Sequence, residues 1–268
     1  MRIEEKSSAY TCIKFSREGR ILTATLSRPQ AMNAVNAALH EELSRLFCDL
    51  ADDEGSDVLV LTGEGKAFCA GGDLIWLQEA IDDPEVFLRM GGEAKRILFS
   101  QLELEKPLIC RLNGAATGLG ASLALACDMT IASSNAVIGD PHVSVGLVAG
   151  DGGAILWSQL VGFARAREYL FTGKLAKAEE AERIGLINRV VAAEQLDDAV
   201  YGLARELAAG ATRAIRWTKI VTNTPLKALA HQLFDMGLAY ESMSNVTRDH
   251  QEAVNAFRER RRPAFTGK

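Results

Sequence analysis

Three glycines within seven positions, Gly114, Gly118 and Gly120, mark the stretch of this sequence best suited to chemistry. An apolar segment typical of a strand, 107–112, precedes them, and small apolar residues typical of a buried helix, 121–126, follow. Glycine adopts backbone conformations that other residues avoid, so such a turn can direct free N–H groups of a helix start into a cavity. These groups can hold an anion, either a phosphate or an oxyanion formed during a reaction.

The phosphate alternative corresponds to the glycine spacing of short-chain dehydrogenases, which bind a nicotinamide dinucleotide. In that arrangement the glycines follow the first strand and a Tyr-x-x-x-Lys pair comes later, whereas here the glycines lie beyond residue 110. The only Tyr-x-x-x-Lys pair, Tyr10 and Lys14, is upstream and in a predicted strand. The order of the chain therefore argues against a dinucleotide site.

A second glycine turn lies upstream at 63–74, where Gly71 and Gly72 precede Asp73. It follows another apolar strand, 57–62, and leads into a short helix. Two units of the same kind can each direct one N–H group at a single oxygen. This pairing favours the oxyanion alternative.

The two turns resemble the crotonase (enoyl-CoA hydratase/isomerase) superfamily, whose Ala-Phe-x-Ala-Gly-x-Asp and Asn-Gly-x-x-x-Gly-x-Gly segments form an oxyanion hole. These segments occupy 67–73 and 113–120 here, and the resemblance extends from 26–29 to 257–263. It implies an α/β fold, a crotonase-type spiral of ββα units with a C-terminal helical trimerisation region. It also implies an acyl-CoA thioester as substrate, with coenzyme A as part of that substrate and no permanently bound cofactor.

The elements that position the turns follow from the hydrophobic pattern. Alternating residues predict a β-hairpin at 11–15 and 20–26, and Asn36 is expected to cap a leucine-lined helix. Acidic residues and a proline at 82–84 predict a break before a longer helix at 87–104. The remaining core elements are predicted as strands at 129–132 and 136–139 and a helix at 153–161. Repeated strand–turn–helix units of this kind predict an α/β core.

The tail is predicted to be helical in four segments, 195–209, 213–221, 226–240 and 248–260. The expected division is therefore a spiral core with the acyl-CoA site at 1–195 and a helical C-terminal oligomerisation region at 196–268. The resemblance implies a homotrimer or homohexamer held by this tail. The apolar residues expected at the subunit surface are Tyr201, Leu203, Leu207, Leu226, Leu229, Leu233 and Leu238.

The resemblance assigns the two oxyanion-hole N–H groups to Gly72 and Leu119. Preorganised donors at these positions would stabilise a thioester oxygen as it gains negative charge. The residues implied along the coenzyme A path are Arg28, Ala31, Ala70, Gly72, Asp73, Leu74, Leu119 and Arg260. For Arg260 the alternative is a solvated basic tail, because several arginines surround it.

Two catalytic positions depart from the hydratases of the family, since Ser122 and His142 stand where those enzymes carry glutamates. Hydration needs one group to activate water and another to deliver a proton. Ser122 cannot be a base alone, whereas His142 can, because imidazole titrates near neutrality. The alternative for His142 is a hydrogen-bonded structural histidine. His40, His231 and His250 lie on predicted helices and need no chemical role.

Asp151 is the second candidate for proton transfer. It lies one residue after the position where dienoyl-CoA isomerases of the family carry an aspartate. An apolar loop would partly desolvate its carboxylate and raise its pKa. The alternative is a helix cap, because a helix is predicted to begin near Gly153 and aspartate is a common N-cap residue.

These observations predict an acyl-CoA enzyme that stabilises a thioester enolate at Gly72 and Leu119, with His142 and Asp151 moving protons or activating water. Double-bond isomerisation is favoured over hydration, because isomerisation needs only one competent base. Acyl-CoA hydrolysis and decarboxylation remain alternatives on the same fold. A non-catalytic acyl-CoA-binding protein is a further alternative of a different class.

Composition narrows the class of protein. The chain has 268 residues, 48% of them hydrophobic, and a net charge of −5, so we expect a soluble globular protein without a nucleic-acid surface. No apolar run reaches the ~18–20 residues of a membrane span, and the N-terminus lacks the apolar core of a signal peptide. Five cysteines without C-x-x-C spacing, and histidines without H-x-x-x-H spacing, predict reduced thiols, a cytoplasmic location and no metal site.

Overall fold

Two β-sheets form the framework of the protein in a computed structural model that describes residues 2–268. The strands are β1 (Ile13–Glu18), β2 (Ile21–Leu26), β3 (Val58–Gly63), β4 (Ala67–Cys69), β5 (Leu108–Leu112), β6 (Ala115–Thr117), β7 (Met129–Ser133), β8 (Val137–Gly139), β9 (Leu175–Lys177) and β10 (Arg189–Val191). One sheet has the order β1-β2-β3-β5-β7-β10 and the other β4-β6-β8-β9. The pairs β1–β2 and β8–β9 are antiparallel, and the other pairs are parallel.

Helices cover these sheets and form most of the second half of the chain. They are α1 (Ala37–Asp52), α2 (Leu74–Asp82), α3 (Pro84–Glu103), α4 (Leu119–Leu125), α5 (Gly153–Thr172), α6 (Ala178–Arg183), α7 (Leu196–Ala209), α8 (Thr212–Asn245) and α9 (Arg248–Arg258). Short 3-10 helices occupy Ile3–Glu5, Ser7–Ala9, Pro29–Ala31, His142–Val145 and Ala193–Gln195. Within residues 2–268, every helix is too short or too polar to serve as a membrane span.

The chain winds as a spiral in which each turn contributes one strand to each sheet before a helix. Strands β3 and β4 precede α2, β5 and β6 precede α4, and β7 and β8 precede α5. The predicted spiral of ββα units is therefore confirmed. The hairpin of β1 and β2 is also confirmed, and so is the cap of α1, where the Asn36 side chain accepts a hydrogen bond from Leu39 N at 3.0 Å.

Alternate residues of β3 face two separate hydrophobic clusters, as the period of two in a strand requires. Leu59 and Leu61 belong to the main core between the sheets and helices. Val58 and Val60 face the other side of the six-stranded sheet, where they join Val200 of α7. Helix α7 therefore covers the six-stranded sheet within the same chain.

The tail differs from the sequence prediction in one element. The expected helices at 213–221 and 226–240 are one continuous helix, α8, which passes through Pro225. A proline removes one backbone hydrogen bond, but Ala230 and Phe234 of the same helix are buried in the main core. Packing of this apolar stripe stabilises the helix beyond the proline, so the predicted break is wrong.

The apolar residues of the tail are distributed between the interior and the surface differently from the prediction. The seven residues expected at a subunit surface are half-buried and pack against clusters of their own chain. Other large apolar residues of α8 are exposed instead: Trp217, Val221, Met236, Tyr240 and Met243. The trimer or hexamer stays a prediction, and this exposed set is the surface of α8 that it would cover.

Gly120 allows α4 to pack directly against the end of β4. A Cβ at this position would lie 2.3 Å from the carbonyl oxygen of Cys69, which is closer than atoms can approach. Gly120→Ala is therefore expected to lower the free energy of unfolding by about 1–3 kcal/mol, the usual cost of overpacking. Urea or thermal denaturation measures the change.

Gly202 of α7 provides the matched control, because a Cβ there would have no atom of residues 2–268 within 4 Å. Gly202→Ala is expected to leave stability unchanged or to raise it by up to about 1 kcal/mol, as alanine favours helix. Equal stability of the two variants would contradict the proposed close packing at Gly120.

Candidate active site

The two glycine turns lie side by side because their strands are neighbours in the four-stranded sheet. Strands β4 and β6 are parallel, so the turns that follow them begin at the same edge. Gly71 has a φ of 83° and Gly118 a φ of 55°, conformations that favour glycine. A Cβ at Gly118 would lie 3.9 Å from the Cα of Gly71. The two turns therefore form one wall.

The N–H groups of Gly72 and Leu119 are the groups that this wall offers. The backbone of Val35 forms hydrogen bonds with the residues on either side of Gly72. Its N–H donates to Gly71 O at 2.7 Å, and its carbonyl oxygen accepts from Asp73 N at 2.8 Å. Leu119 is the first residue of α4, where an N–H has no intrahelical acceptor. Within residues 2–268 neither N–H has a hydrogen-bond acceptor, so both can serve a ligand.

A cavity of about 620 Å³ lies against this wall, within the size range of small-molecule sites. Most of its lining is apolar and comes from α2, α3 and the two glycine turns. The predicted site residues that line it are Ala31, Ala70, Gly72, Asp73, Leu74, Leu119, His142 and Asp151. The structure therefore brings eight of the ten predicted site residues to one cavity.

Arg28 and Arg260 are the two predicted site residues outside the lining. The guanidinium of Arg28 donates to Asp73 Oδ2 at 3.1 Å and to the carbonyl of Ala34. It therefore links the glycine turn at 63–74 to the segment before α1. Asp73 also caps α2 by accepting a hydrogen bond from Ile75 N at 3.1 Å. Arg260 is exposed beyond the end of α9. A coenzyme A role for either arginine stays a prediction.

His142 lies between two carboxylates at the edge of the cavity. Its Nδ1 forms a short hydrogen bond with Asp140, and its Nε2 is 3.7 Å from Asp151 Oδ2. The imidazole also borders the second glycine turn, since a Cβ at Gly118 would lie 3.4 Å from its Cε1. The structure therefore joins the two predicted proton-transfer residues and adds Asp140 as the partner that orients the ring.

The surrounding charges determine the protonation of this pair. Burial lowers the pKa of His142, but the negative charges of Asp140 and Asp151 outweigh it and raise that pKa well above its usual range. Burial raises the pKa of Asp151, although the charge of His142 and the hydroxyl of Ser122 partly offset this. At neutral pH His142 is therefore a cation, which leaves Asp151 as the stronger candidate for the base.

Ser122 supports Asp151 rather than acting alone. Its hydroxyl donates to Asp151 Oδ1 at 3.2 Å. The cap alternative for Asp151 is weaker than expected, because the residue at the N-cap of α5 is Gly152 and no side chain of the described residues caps this helix. The N–H of Gly153 nonetheless lowers the pKa of Asp151, so the carboxylate also benefits from the helix start.

Two titratable residues that line the cavity were missed by sequence analysis. His40 of α1 is 2% exposed, lines the cavity and pairs through Nδ1 with Glu93 Oε2 at 2.6 Å. Glu241 of α8 is 8% exposed and lines the same cavity. His40 gives no local signal, since its partner is on another helix. Glu241 does give one, because it is the only charged residue between Asp235 and Arg248.

Oxygen and nitrogen atoms of Asp140, His142 and Asp151 lie within 4.8 Å of one another, a spacing that a metal ion could bridge. The carboxylates, however, face opposite nitrogens of one imidazole, since Asp140 meets Nδ1 and Asp151 meets Nε2. This arrangement favours a shared proton over a metal, and the absence of a metal site stays a prediction.

The comparisons agree with the geometry. The family model described as enoyl-CoA hydratase/isomerase matches residues 16–268. The chain is 35% identical over 252 residues to the short-chain-enoyl-CoA hydratase of Clostridium acetobutylicum, covering 92% of this chain and 94% of the relative.

Solved structures extend the comparison. An enoyl-CoA hydratase/isomerase from Mycobacterium paratuberculosis is similar with a TM-score of 0.88 and 34% identity, covering 91% of this chain and 98% of that one. A β-diketone hydrolase from Anabaena, bound to (S)-3-oxocyclohexyl acetic acid, is similar with a TM-score of 0.84 and 30% identity, covering 90% and 97%. The match over nearly the whole chain shows that this protein is a member of the enoyl-CoA hydratase/isomerase family, the crotonase superfamily.

Proposed function

We propose that the protein isomerises the double bond of an enoyl-CoA thioester. The observation that carries the proposal is the buried carboxylate of Asp151. It lines the same cavity as Gly72 and Leu119, whose N–H groups have no acceptor among residues 2–268. A base and an oxyanion site in one cavity suit removal of a proton next to a thioester carbonyl.

The reaction begins when Asp151 accepts a proton from C2 of a 3-enoyl thioester. The electron pair of the broken C–H bond spreads over C2, C3, C4 and the thioester oxygen, and that oxygen is held by the N–H groups of Gly72 and Leu119. Protonation at C4 then gives the 2-enoyl thioester. Burial raises the pKa of Asp151 and so makes its carboxylate a stronger base, while the positive charge of His142 favours the ionised form that accepts the proton.

The residues at the two positions where hydratases of the family carry glutamate favour isomerisation over hydration. A hydroxyl, Ser122, replaces one glutamate, and an imidazolium, His142, replaces the other. The hydratases of the family use a carboxylate at each of these two positions to activate water and deliver a proton, and neither position carries a carboxylate here. One carboxylate suffices to move a proton from C2.

A panel of substrates tests this function. We expect turnover of trans-3-hexenoyl-CoA to trans-2-hexenoyl-CoA and slow or absent hydration of crotonyl-CoA. Saturated acyl-CoA and malonyl-CoA test hydrolysis and decarboxylation, with products identified by chromatography. Rapid crotonyl-CoA hydration without isomerisation would contradict the proposal. Coenzyme A binding without any turnover would instead favour a non-catalytic binding protein.

A second candidate is hydrolysis of a carbon–carbon bond in a β-diketone. Its support is the likeness to the β-diketone hydrolase from Anabaena, together with the orientation of His142 by Asp140. In this reaction water adds to one carbonyl, and the bond to the central carbon breaks to give a carboxylic acid and a ketone. Adding 1,3-cyclohexanedione to the panel tests it, because ring opening without any enoyl-CoA turnover would favour this candidate.

A further inference from the structure

Protonation at C4 requires a proton donor, and Glu241 is an acid that lines the same cavity. Its side chain is buried, and its Oε2 has no hydrogen-bond partner within residues 2–268. Burying a carboxyl oxygen without a partner is unfavourable, so a purely structural role explains it poorly. The cavity that it lines is the one that holds His142 and Asp151.

A close contact between a loop and a helix brings Glu241 to this position. The loop that carries Asp151 packs against α8 at two glycines, since a Cβ at Gly150 would lie 2.5 Å from the carbonyl oxygen of Gly237 and 2.7 Å from Glu241 Oε2. Nearby, Val148 N donates to Ser244 Oγ at 3.1 Å. Helix α8 is therefore part of the active-site wall.

Burial favours the protonated form of Glu241 at neutral pH. Burial raises its pKa to about 8, with Asp151 and Asp140 adding to the rise, while the charge of His142 and the N–H of Gly150 oppose it. A neutral carboxyl can donate a proton, whereas Asp151 beside the His142 cation can accept one. The cavity therefore holds an acid and a base at the same pH.

We propose that Glu241 is the catalytic acid of the isomerisation, donating its proton to C4 after Asp151 has taken one from C2. This inference rests on the proposed isomerase function. The O–H bond of Glu241 breaks as the C4–H bond forms, which leaves Glu241 ionised and Asp151 protonated. Exchange of protons with solvent then restores both groups, so the overall reaction consumes no proton.

Glu241→Gln tests the assignment, because glutamine keeps the shape and neutrality of the protonated acid but has no proton to give. The probe is trans-3-hexenoyl-CoA in deuterated water, with isomerisation and deuterium incorporation at C2 measured together. We expect isomerisation to fall by about 10²-fold. Incorporation at C2 should stay near the wild-type rate, because Asp151 still removes that proton.

Asp235→Asn is the matched control on the same helix. Asp235 is exposed, pairs with Lys95 and does not line the cavity, so both rates should be unchanged. Unchanged isomerisation in Glu241→Gln, or an equal loss of both rates, would overturn the assignment. A wild-type protein that neither isomerises nor incorporates deuterium would overturn the proposed function together with it.

The pH profile of the wild-type protein provides a test that needs no variant. Glu241 is protonated below its pKa of about 8 and loses its proton above it. Isomerisation should therefore fall as pH rises through about 8, while deuterium incorporation at C2 continues. A parallel fall of both rates would assign the loss to His142 and would overturn the role of Glu241.

Discussion

Replacing Asp151 with asparagine is expected to lower isomerisation by about 10²-fold or more, the usual loss when a general base is removed. The amide keeps the shape of the side chain and can still contact Ser122, but it cannot accept a proton from C2. Coenzyme A binding should be unchanged, so the loss should fall on kcat rather than on KM. Steady-state kinetics and calorimetry with an acyl-CoA separate the two quantities.

Asp83→Asn is the control for the cap alternative. Asp83 is an N-cap of α3, where its carboxylate accepts a hydrogen bond from Glu85 N at 3.0 Å. Asparagine caps a helix about as well as aspartate, so this variant should keep both stability and turnover. If Asp151→Asn behaves in the same way, Asp151 only supports the helix start and the proposed base is wrong.

Replacing Leu119 with proline is expected to lower kcat by about 10²–10³-fold, the usual effect of losing one oxyanion donor. Leu119 is the first residue of α4, a position that proline favours in helices. The substitution therefore removes the N–H group with little disturbance of the helix. Circular dichroism and the melting temperature check that the variant is folded.

Leu119→Ala is the matched control, since it shortens the same side chain and keeps the N–H group. We expect most of the activity to remain in this variant, because the backbone rather than the side chain holds the oxygen. Equal activity of the proline and alanine variants, both folded, would show that the N–H of Leu119 does not contact the thioester.

Local patterns predict the parts of the site that are close together in sequence. The strand, glycine turn and helix start around Gly118 depend on residues within one short segment, and so do those around Gly71. Their meeting in space follows once the strands before them are neighbours in a parallel sheet. The wall formed by the two glycine turns was therefore predictable from motif order and spacing.

Contacts between distant segments were not predictable in the same way. Glu241 reaches the cavity because Gly150 and Gly237 allow a loop and a helix to touch, and no local pattern joins those two glycines. His40 lines the cavity through a pairing with Glu93 of another helix. Packing also overrides the helix-breaking tendency of Pro225, so the local rule that predicts a break there fails.

The tail has a second role that composition does not reveal. Helices α8 and α9 were expected to serve assembly, but both support the segment that carries His142 and Asp151. His250 of α9 bonds the carbonyl of Val145 through Nδ1 at 2.6 Å, and Glu241 of α8 lies beside Gly150. The division at 195 and 196 stays a prediction, and residues from both sides of it line the cavity.

A crystal structure with a bound saturated acyl-CoA, such as butyryl-CoA, tests the proposed oxyanion site directly. We expect the thioester oxygen to lie about 2.7–3.1 Å from the backbone nitrogens of both Gly72 and Leu119. We also expect C2 to lie next to the carboxylate of Asp151. A thioester oxygen remote from both nitrogens, or a C2 that faces away from Asp151, would contradict the proposed function.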